Sequence, residues 1–230
     1  MPISHKHKII FIHIPKNGGS SIDRLLEVNR SRPETLFATK RMLEGGIEEV
    51  SHLSMLQLKR FIKKNHPKYY PKLDEYYSFA VVRNPWDRMV SEYFHLMRHF
   101  SDTAHPVFGK MKKLTFENWI ILLEKVFNKI PNLVHPRAFY GSHFRQQVDF
   151  VYDENSLLVD DLYRFENYAK NWEEINSKLR LNTPILHLNK NTNRKNRDYR
   201  IYYSEKTKKI IERLYSRDIY KLEYRFNSEK

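Results

Sequence analysis

The hydrophobic pattern of the chain contains two short runs without a polar position. Residues 9–12 (IIFI) and 79–82 (FAVV) are rich in β-branched and aromatic side chains, as strands buried on both faces are. Pro15 interrupts the chain soon after the first run, and Asn84 with Pro85 begins a helix after the second. Buried strands that alternate with helices predict a parallel sheet covered by helices on both faces.

Helical spacing of apolar residues predicts six helices along the chain. Ser54 and Gln57 have the spacing of a capping box at the start of the second helix, and Pro131 ends the fourth. The predicted helices cover residues 20–26, 54–64, 85–99, 116–130, 168–179 and 204–214.

Other apolar segments are shorter or less regular. We predict strands near residues 148–152, 157–165 and 185–188, and a basic loop over residues 189–200, which are polar and lack periodicity. No repeat, low-complexity tract or linker divides the chain, so we predict one domain over residues 1–230. The predicted fold class is α/β, a three-layer arrangement with a central parallel sheet between helices.

The composition adds a strong positive charge and a complete absence of cysteine. Lysine and arginine number 41 against 27 aspartate and glutamate, which gives a formal net charge of +14 and favours anionic partners. Without cysteine, disulfides, thiolate nucleophiles and cysteine-containing zinc sites are excluded. The apolar run from Ile9 to Ile14 is too short for a signal peptide or a membrane span, so we expect a soluble, cytoplasmic protein.

A glycine pair lies where the first strand passes into the first helix. Gly18 and Gly19 allow the backbone to approach a phosphate or sulfate closely. Lys16 adds a positive charge, and the hydroxyl groups of Ser20 and Ser21 add donors. The order differs from a Walker A loop, in which the lysine follows the glycines, so a nucleoside-triphosphate kinase is disfavoured. The segment predicts a P-loop-like anion site, with a simple strand-to-helix turn as the alternative.

A second candidate anion site begins at Arg83, at the carboxyl end of the second buried strand. Open α/β sheets bind their ligands at this edge. Ser91 lies two turns into the following helix, on the side that can face Arg83, and a guanidinium group with a hydroxyl suits a phosphate monoester. The alternative is an ordinary surface arginine, with Asp87 paired to Arg88 or to another cation.

Together, these two segments resemble the sulfotransferase family. Residues 12–21 (IHIPKNGGSS) are similar to its 5′-phosphosulfate loop, and residues 82–93 (VRNPWDRMVSEY) to its 3′-phosphate motif. The similarity is to the carbohydrate branch, which includes heparan sulfate 2-O-sulfotransferase and many bacterial homologues. Weaker similarity is found at residues 52–56, 143–147, 163–167 and 215–220.

The resemblance implies a donor, 3′-phosphoadenosine 5′-phosphosulfate, and in-line transfer of its sulfuryl group to a hydroxyl or an amine, with no obligatory metal. Lys16 is expected to neutralise the leaving phosphate oxygen. Asn17 stands where the family commonly has threonine, and its amide is expected to donate to an oxygen of the donor. The residues assigned to the 5′-phosphosulfate are Lys16, Asn17, Gly18, Gly19, Ser20 and Ser21.

The resemblance also assigns residues to the 3′-phosphate of the same donor. Arg83 and Ser91 are expected to hold this group. Thr192, Arg194 and Lys195 lie in the basic loop where relatives bring further contacts to it. A solvated charged loop is the alternative interpretation of that segment.

A hydroxyl acceptor needs a general base, and the resemblance assigns this role to His52. An imidazole with a pKa near neutrality can accept the proton as the oxygen attacks. His52 lies just before the helix predicted from residue 54, in a segment that matches the His-hydrophobic-Ser pattern of the family. Glu48 and Glu49 are the alternatives, because other branches use a carboxylate.

The acceptor is predicted only as a chemical class. The positive charge fits an anionic carbohydrate, while a small metabolite or a lipid stays open as the acceptor. The resemblance places His143 and Arg145 at the acceptor or donor cleft.

His135 and His143 have a poor spacing for binding a metal ion, so we predict no metal site. A nucleic-acid-binding module and a non-catalytic nucleotide- or glycan-binding protein are the rival classes. Dispersed basic residues argue against the first, and the full set of assigned reactive residues against the second.

Overall fold

The computed structural model describes residues 3–4, 7–26, 41–43, 46–48, 52–99, 114–129, 141–180, 194 and 196–227. The chain forms two compact units. The first is built from residues 1–82 and 134–189, and the second from residues 83–133 and 190–230. A single domain over the whole chain stays a prediction.

The first unit holds every strand found among the described residues. Its elements begin with β1 (Ile3–Ser4), β2 (Ile9–Ile12), α1 (Gly19–Leu25), β3 (Arg41–Leu43), β4 (Gly46–Glu48), α2 (Met55–Asn65), a 3₁₀ helix (Pro67–Glu75) and β5 (Tyr77–Val82). Next come α3 (Pro85–His99) and α4 (Phe116–Lys129) of the second unit. The first unit continues with α5 (Gly141–Phe144), α6 (Val148–Val151), β6 (Tyr152–Asp153), β7 (Ser156–Leu157), β8 (Asp161–Arg164), a 3₁₀ turn (Phe165–Asn167) and α7 (Tyr168–Leu179). The second unit ends with a 3₁₀ turn (Arg200–Tyr202), α8 (Glu205–Leu214) and α9 (Ser216–Lys221).

The central sheet has the strand order β1-β2-β5-β8. Strands β2, β5 and β8 are parallel, and β1 is an antiparallel edge strand. Side chains on both faces of β2 are buried, as are those of β5 from Ser78 to Val82. The predicted α/β class, with a mostly parallel central sheet flanked by helices, is confirmed.

One face of this sheet is covered by α1 and α7. Ile22 of α1 and Trp172 and Ile175 of α7 share a buried cluster with Phe11 and Phe79 of the strands. Each fully buried apolar side chain of this size contributes about 1.5–3 kcal/mol. The cluster therefore holds α1, and the loop that precedes it, firmly against the carboxyl end of β2.

The start of α2 matches its sequence signature. Ser54 Oγ accepts a hydrogen bond from the Gln57 amide at 3.3 Å, and Gln57 Oε1 accepts one from the Ser54 amide at 2.9 Å. This is the predicted capping box, and it satisfies two donors at the helix N-terminus. Within the described segments, no helix combines the length and the hydropathy needed to cross a bilayer.

The strand predicted over residues 148–152 is wrong for its first four positions, which form α6. The amide of Phe150 donates to the Gln147 carbonyl at 3.0 Å, so the apolar run closes into a helical turn. An apolar run this short is compatible with either conformation, and only its packing decides. The strand predicted near 157–165 is shorter and is observed as β8, and the one at 185–188 lies outside the described residues.

In the second unit, Asn84 fixes the start of α3. Its Oδ1 accepts a hydrogen bond from the Trp86 amide at 3.1 Å, as expected of an N-cap residue. Its Nδ2 donates to the Tyr199 hydroxyl at 3.1 Å and to the Arg225 carbonyl at 3.0 Å. Asn84 is therefore both a helix cap and a link to the C-terminal segment.

Candidate active site

The loop between β2 and α1 makes a tight left-handed turn. Lys16 has a φ of 70° and Gly18 a φ of 82°, both in the region that favours glycine. A Cβ at Gly18 would lie 3.0 Å from the ring of Phe165 and 3.3 Å from that of Tyr168. Gly18 is therefore required both by its backbone conformation and by the two rings that lie against it. Ser20, two residues later, is exposed.

Asn17 is buried at the base of this loop. Its Nδ2 donates to the Val81 carbonyl at 2.7 Å and to Gln147 Oε1 at 2.8 Å. The carbonyl can only accept, so the amide orientation is fixed and both of its hydrogens are used within the protein. Asn17 thus ties the loop to β5 and to the start of α6, and its expected contact with the donor stays a prediction.

Replacing Asn17 with aspartate is expected to destabilise the fold by about 3 kcal/mol, because a carboxylate oxygen would face two acceptor oxygens in a buried position. Urea unfolding of wild type and variant measures this difference. The matched control is Asn118→Asp, the same chemical change at an exposed position of α4, with an expected effect below about 0.5 kcal/mol. Equal effects of the two substitutions would contradict the assigned role.

His52 lies beside the same loop. Its Nδ1 is 3.0 Å from the carbonyl oxygen of His13, the residue that directly follows β2. The ring of His13 is edge-on to that of His52 with 4.7 Å between centroids, and the ring of His143 is edge-on from α5 at 5.3 Å. Three imidazoles from three separate elements thus meet at this point.

This environment sets the charge of His52. Burial, and then the nearby imidazoles of His13 and His143, hold the pKa of His52 well below its ordinary value of 6.5. The ring is therefore neutral at neutral pH. Because a carbonyl oxygen only accepts hydrogen bonds, the proton of the neutral ring is on Nδ1 and the lone pair is on Nε2.

His13 is itself held in place from two sides. Its Nδ1 is 3.1 Å from Asp23 Oδ2 of α1, and its ring stacks on Phe11 with 5.6 Å between centroids. A Cβ at Gly19 would lie only 2.2 Å from the His13 ring. Gly19 is therefore needed because the imidazole of His13 lies directly against it.

The segment from His143 to Gln147 supports the start of α2. Arg145 Nη1 donates to Gln57 Oε1 at 3.0 Å, the same oxygen that caps the helix, and Nη2 donates to the Asp149 carbonyl at 2.7 Å. These contacts favour a structural role for Arg145, which was predicted to line the cleft. His143 is buried and contacts the ring of His52.

In the second unit, Arg83 forms a cluster with Asp87 and Arg194. The Nε and Nη2 atoms of Arg83 donate to Asp87 Oδ2 at 2.9 and 2.8 Å. Arg194 Nη1 donates to Asp87 Oδ1 at 2.7 Å. The three side chains are nearly buried and carry a net charge of +1.

Asp87 is ionised in this cluster. Burial by itself raises the pKa of a carboxyl group, but the guanidinium groups of Arg83 and Arg194 outweigh it and lower the pKa of Asp87 below its ordinary value. The carboxylate orients both arginines, and the remaining positive charge suits an anion. Ser91 is partly buried in α3.

The surroundings of four further predicted site residues are not described. Thr192, Lys195 and Glu49 lie outside the described residues, and so does the side chain of Glu48 in β4. Across the part of the chain that the structure describes, no three histidine, aspartate or glutamate side chains are grouped to hold a metal ion.

Sequence reasoning missed three functional neighbours, namely His13, Asp23 and Gln147. His13 was within the quoted loop motif at the carboxyl end of a buried strand, which is the signal that could have identified it. Asp23 and Gln147 had no such signal, because their partners are known only from the fold. The ion pair between Arg83 and Asp87 was not predicted either, and their i,i+4 spacing is the signal that could have identified it.

Comparison with known proteins gives a consistent picture. A family model described as "Sulfotransferase family" matches residues 1–226. The chain is similar to carbohydrate sulfotransferase 9 of Homo sapiens, with 30% identity over 108 residues, which are 47% of this chain and 23% of that protein. The chain thus spans less than a quarter of the length of this relative. No solved structure matches the chain significantly.

Proposed function

The chain belongs to the sulfotransferase family, and we propose that it transfers the sulfuryl group of 3′-phosphoadenosine 5′-phosphosulfate to a hydroxyl of a carbohydrate. In this proposal His52 is the general base, and Lys16 stabilises the leaving phosphate. The donor supplies an activated sulfuryl group on its 5′-phosphate, and the residues of this chain bind it and move one proton.

The observation that supports this proposal most strongly is the hydrogen bond between His52 Nδ1 and the His13 carbonyl. It places the ring proton on Nδ1 and the lone pair on Nε2, and a general base needs such a lone pair. His13 is three residues before Lys16, so the same bond holds the base beside the candidate phosphosulfate loop.

The loop residues fit an anionic group. Lys16 brings a positive charge to the left-handed turn, and the exposed Ser20 brings a hydroxyl donor. Gly18 and Gly19 add no side chain of their own to this turn, and the rings of Phe165 and His13 lie against them. Ser21, which is buried, is assigned to the same group by the family resemblance.

The proposed reaction is an in-line displacement. His52 Nε2 accepts the proton of the acceptor hydroxyl while that oxygen forms a bond to sulfur and the bond from sulfur to the 5′-phosphate oxygen breaks. Lys16 stabilises the charge that develops on the leaving oxygen. The products are the sulfate ester, the 3′,5′-bisphosphate and a protonated His52, which returns its proton to solvent.

The 3′-phosphate of the donor is assigned to the Arg83 cluster. Its two guanidinium groups, oriented by Asp87, offer the charge and the geometry that a phosphate monoester needs. Ser91 is proposed as a further hydroxyl donor. Thr192 and Lys195, which lie outside the described residues, are proposed as further contacts.

The acceptor is proposed to be an anionic carbohydrate. The name of the human relative specifies a carbohydrate acceptor for that protein, and the net charge of +14 on this chain favours an acidic one. His143 is proposed to contact the acceptor, because its ring adjoins that of His52.

Calorimetric titration with 3′-phosphoadenosine 5′-phosphate, beside ATP and 5′-AMP, tests the donor site. We expect the bisphosphate to bind most tightly, and Arg83→Ala to weaken its binding about 100-fold, because a buried guanidinium is lost from the phosphate. Arg200→Ala is the matched control, since Arg200 pairs with Asp198 on the surface and should leave binding unchanged. Thermal unfolding confirms that each variant is folded.

Equal affinity for all three nucleotides would contradict the proposed donor. Selective binding of the bisphosphate without transfer of labelled sulfate to any polysaccharide would contradict the proposed carbohydrate acceptor and leave the donor assignment standing. The two measurements therefore separate the donor assignment from the reaction.

A further inference from the structure

Exposed basic residues are concentrated on α2 and on the 3₁₀ helix that follows it. Residues 53–73 contain six lysines and arginines and no aspartate or glutamate. We propose that this surface binds an anionic polysaccharide chain at a distance from the reacting sugar, an inference that rests on the proposed function. We call it the α2 basic surface and define it by Arg60, Lys63, Lys64, Lys68 and Lys72.

The two helices form one surface because they pack together. Leu58 and Ile62 of α2 and Leu73 of the 3₁₀ helix are buried. On the outer side, Lys59 bonds to Asp74 at 3.3 Å and so links the two elements. All five residues of the α2 basic surface are exposed.

Acidic residues leave most of this charge unneutralised. Among the described residues, Arg60, Lys64 and Lys72 have no acidic partner. Lys63 and Lys68 contact tyrosine rings, with the ammonium of Lys63 at 5.6 Å from the centroid of Tyr70. A cluster of like charges without counterions favours a multivalent anion.

The tyrosine contacts distinguish a polysaccharide from a nucleic acid. Proteins that bind single strands leave aromatic faces open, because bases stack on them. Here Lys63 lies over the ring of Tyr70, and Lys68 lies over that of Tyr69 at 4.8 Å. The rings hold ammonium groups in place by cation-π contact, and those groups are suited to the sulfates and carboxylates of a glycan.

The position of the surface requires an extended ligand. His52 is two residues before the Ser54 cap, so it adjoins the N-terminal end of α2. The helix has 11 residues, which gives a length of about 16 Å to its basic C-terminal end. A small acceptor at His52 cannot reach Lys64, whereas a polymer can contact both.

Steady-state kinetics with two acceptors that differ only in chain length, long-chain chondroitin sulfate and its disaccharide, test the inference. For the triple variant Arg60→Gln, Lys64→Gln, Lys72→Gln we expect the KM for the polymer to rise about tenfold, with kcat and the disaccharide KM unchanged. Higher salt should raise the wild-type polymer KM more steeply than that of the variant. The control triple, Lys170→Gln, Lys206→Gln and Lys209→Gln, makes the same charge change on exposed residues of α7 and α8 and should leave all values unchanged.

The kinetics and the titration each have results that would overturn the inference. Equal polymer KM values for wild type and the surface variant, with transfer intact, would overturn the inference and leave the proposed function standing. A similar rise in the control triple would also overturn it, because net charge alone would explain the effect. Direct titration with chondroitin sulfate and with oligo(dT) needs no turnover, and equal weakening of both ligands in the surface variant would overturn the glycan assignment.

Discussion

Replacing His52 with alanine is expected to lower kcat by about 10²–10⁴-fold, the usual contribution of a general base. The affinity for 3′-phosphoadenosine 5′-phosphate should be unchanged, because His52 acts on the acceptor. Steady-state kinetics with the polysaccharide acceptor, with calorimetry in parallel, separate these effects. The control is His66→Ala, which removes a histidine at the opposite end of α2 and should retain kcat.

The same residue predicts the pH dependence of the wild type. His52 must be neutral to accept a proton, and a histidine is neutral above its pKa. Burial, with the imidazoles of His13 and His143, lowers the pKa of His52 below its ordinary value of 6.5. As the pH is lowered, kcat/KM should therefore remain constant through pH 6.5 and decrease only at more acidic pH. This acid limb should be absent in His52→Ala.

Nitrogen-15 NMR of the histidines checks the tautomer without any turnover. We expect His52 to carry its proton on Nδ1, because that atom is 3.0 Å from the His13 carbonyl. A proton on Nε2 would contradict the assignment of the base. If His52→Ala keeps more than about a tenth of kcat, Glu48 and Glu49 become the next residues to replace.

Replacing Gly19 with alanine is expected to lower kcat/KM about 100-fold, as small displacements of reacting groups do. The new Cβ would lie 2.2 Å from the His13 ring, which cannot move freely because Phe11, His52 and Asp23 surround it. Without this contact, alanine would stabilise a helix by up to about 1 kcal/mol relative to glycine.

A second substitution tests whether His13 is the cause. In the double variant Gly19→Ala, His13→Ala the clash is removed, so kcat/KM should recover relative to Gly19→Ala alone. His13→Ala by itself keeps the backbone carbonyl that bonds His52, and should retain more activity than Gly19→Ala. Additive losses in the double variant would show that the two residues do not interact.

The sequence by itself determined the secondary structure and the residue types of the candidate site. The buried strands at residues 9–12 and 79–82, the Ser54 cap and the α3 start at Pro85 follow from patterns spanning a few residues. The glycine-rich loop was recognisable for the same reason, since its backbone conformation depends on its own residues. The exceptions are α6, whose apolar run suits either a strand or a helical turn, and the shorter elements that were not predicted, namely β1, β3, β4, β6, β7, α5, α9 and the 3₁₀ segments.

Only the tertiary structure decided which side chains meet. His52 and His13 are 39 residues apart, Arg194 and Asp87 are 107 apart, and Gln147 and Asn17 are 130 apart. Periodicity reports the face on which a residue lies and carries no information about its partner on another element. The tautomer of His52, the burial of the Asn17 amide and the bond of Arg194 to Asp87 all depend on such distant partners, and the fold is what brings them within hydrogen-bond distance.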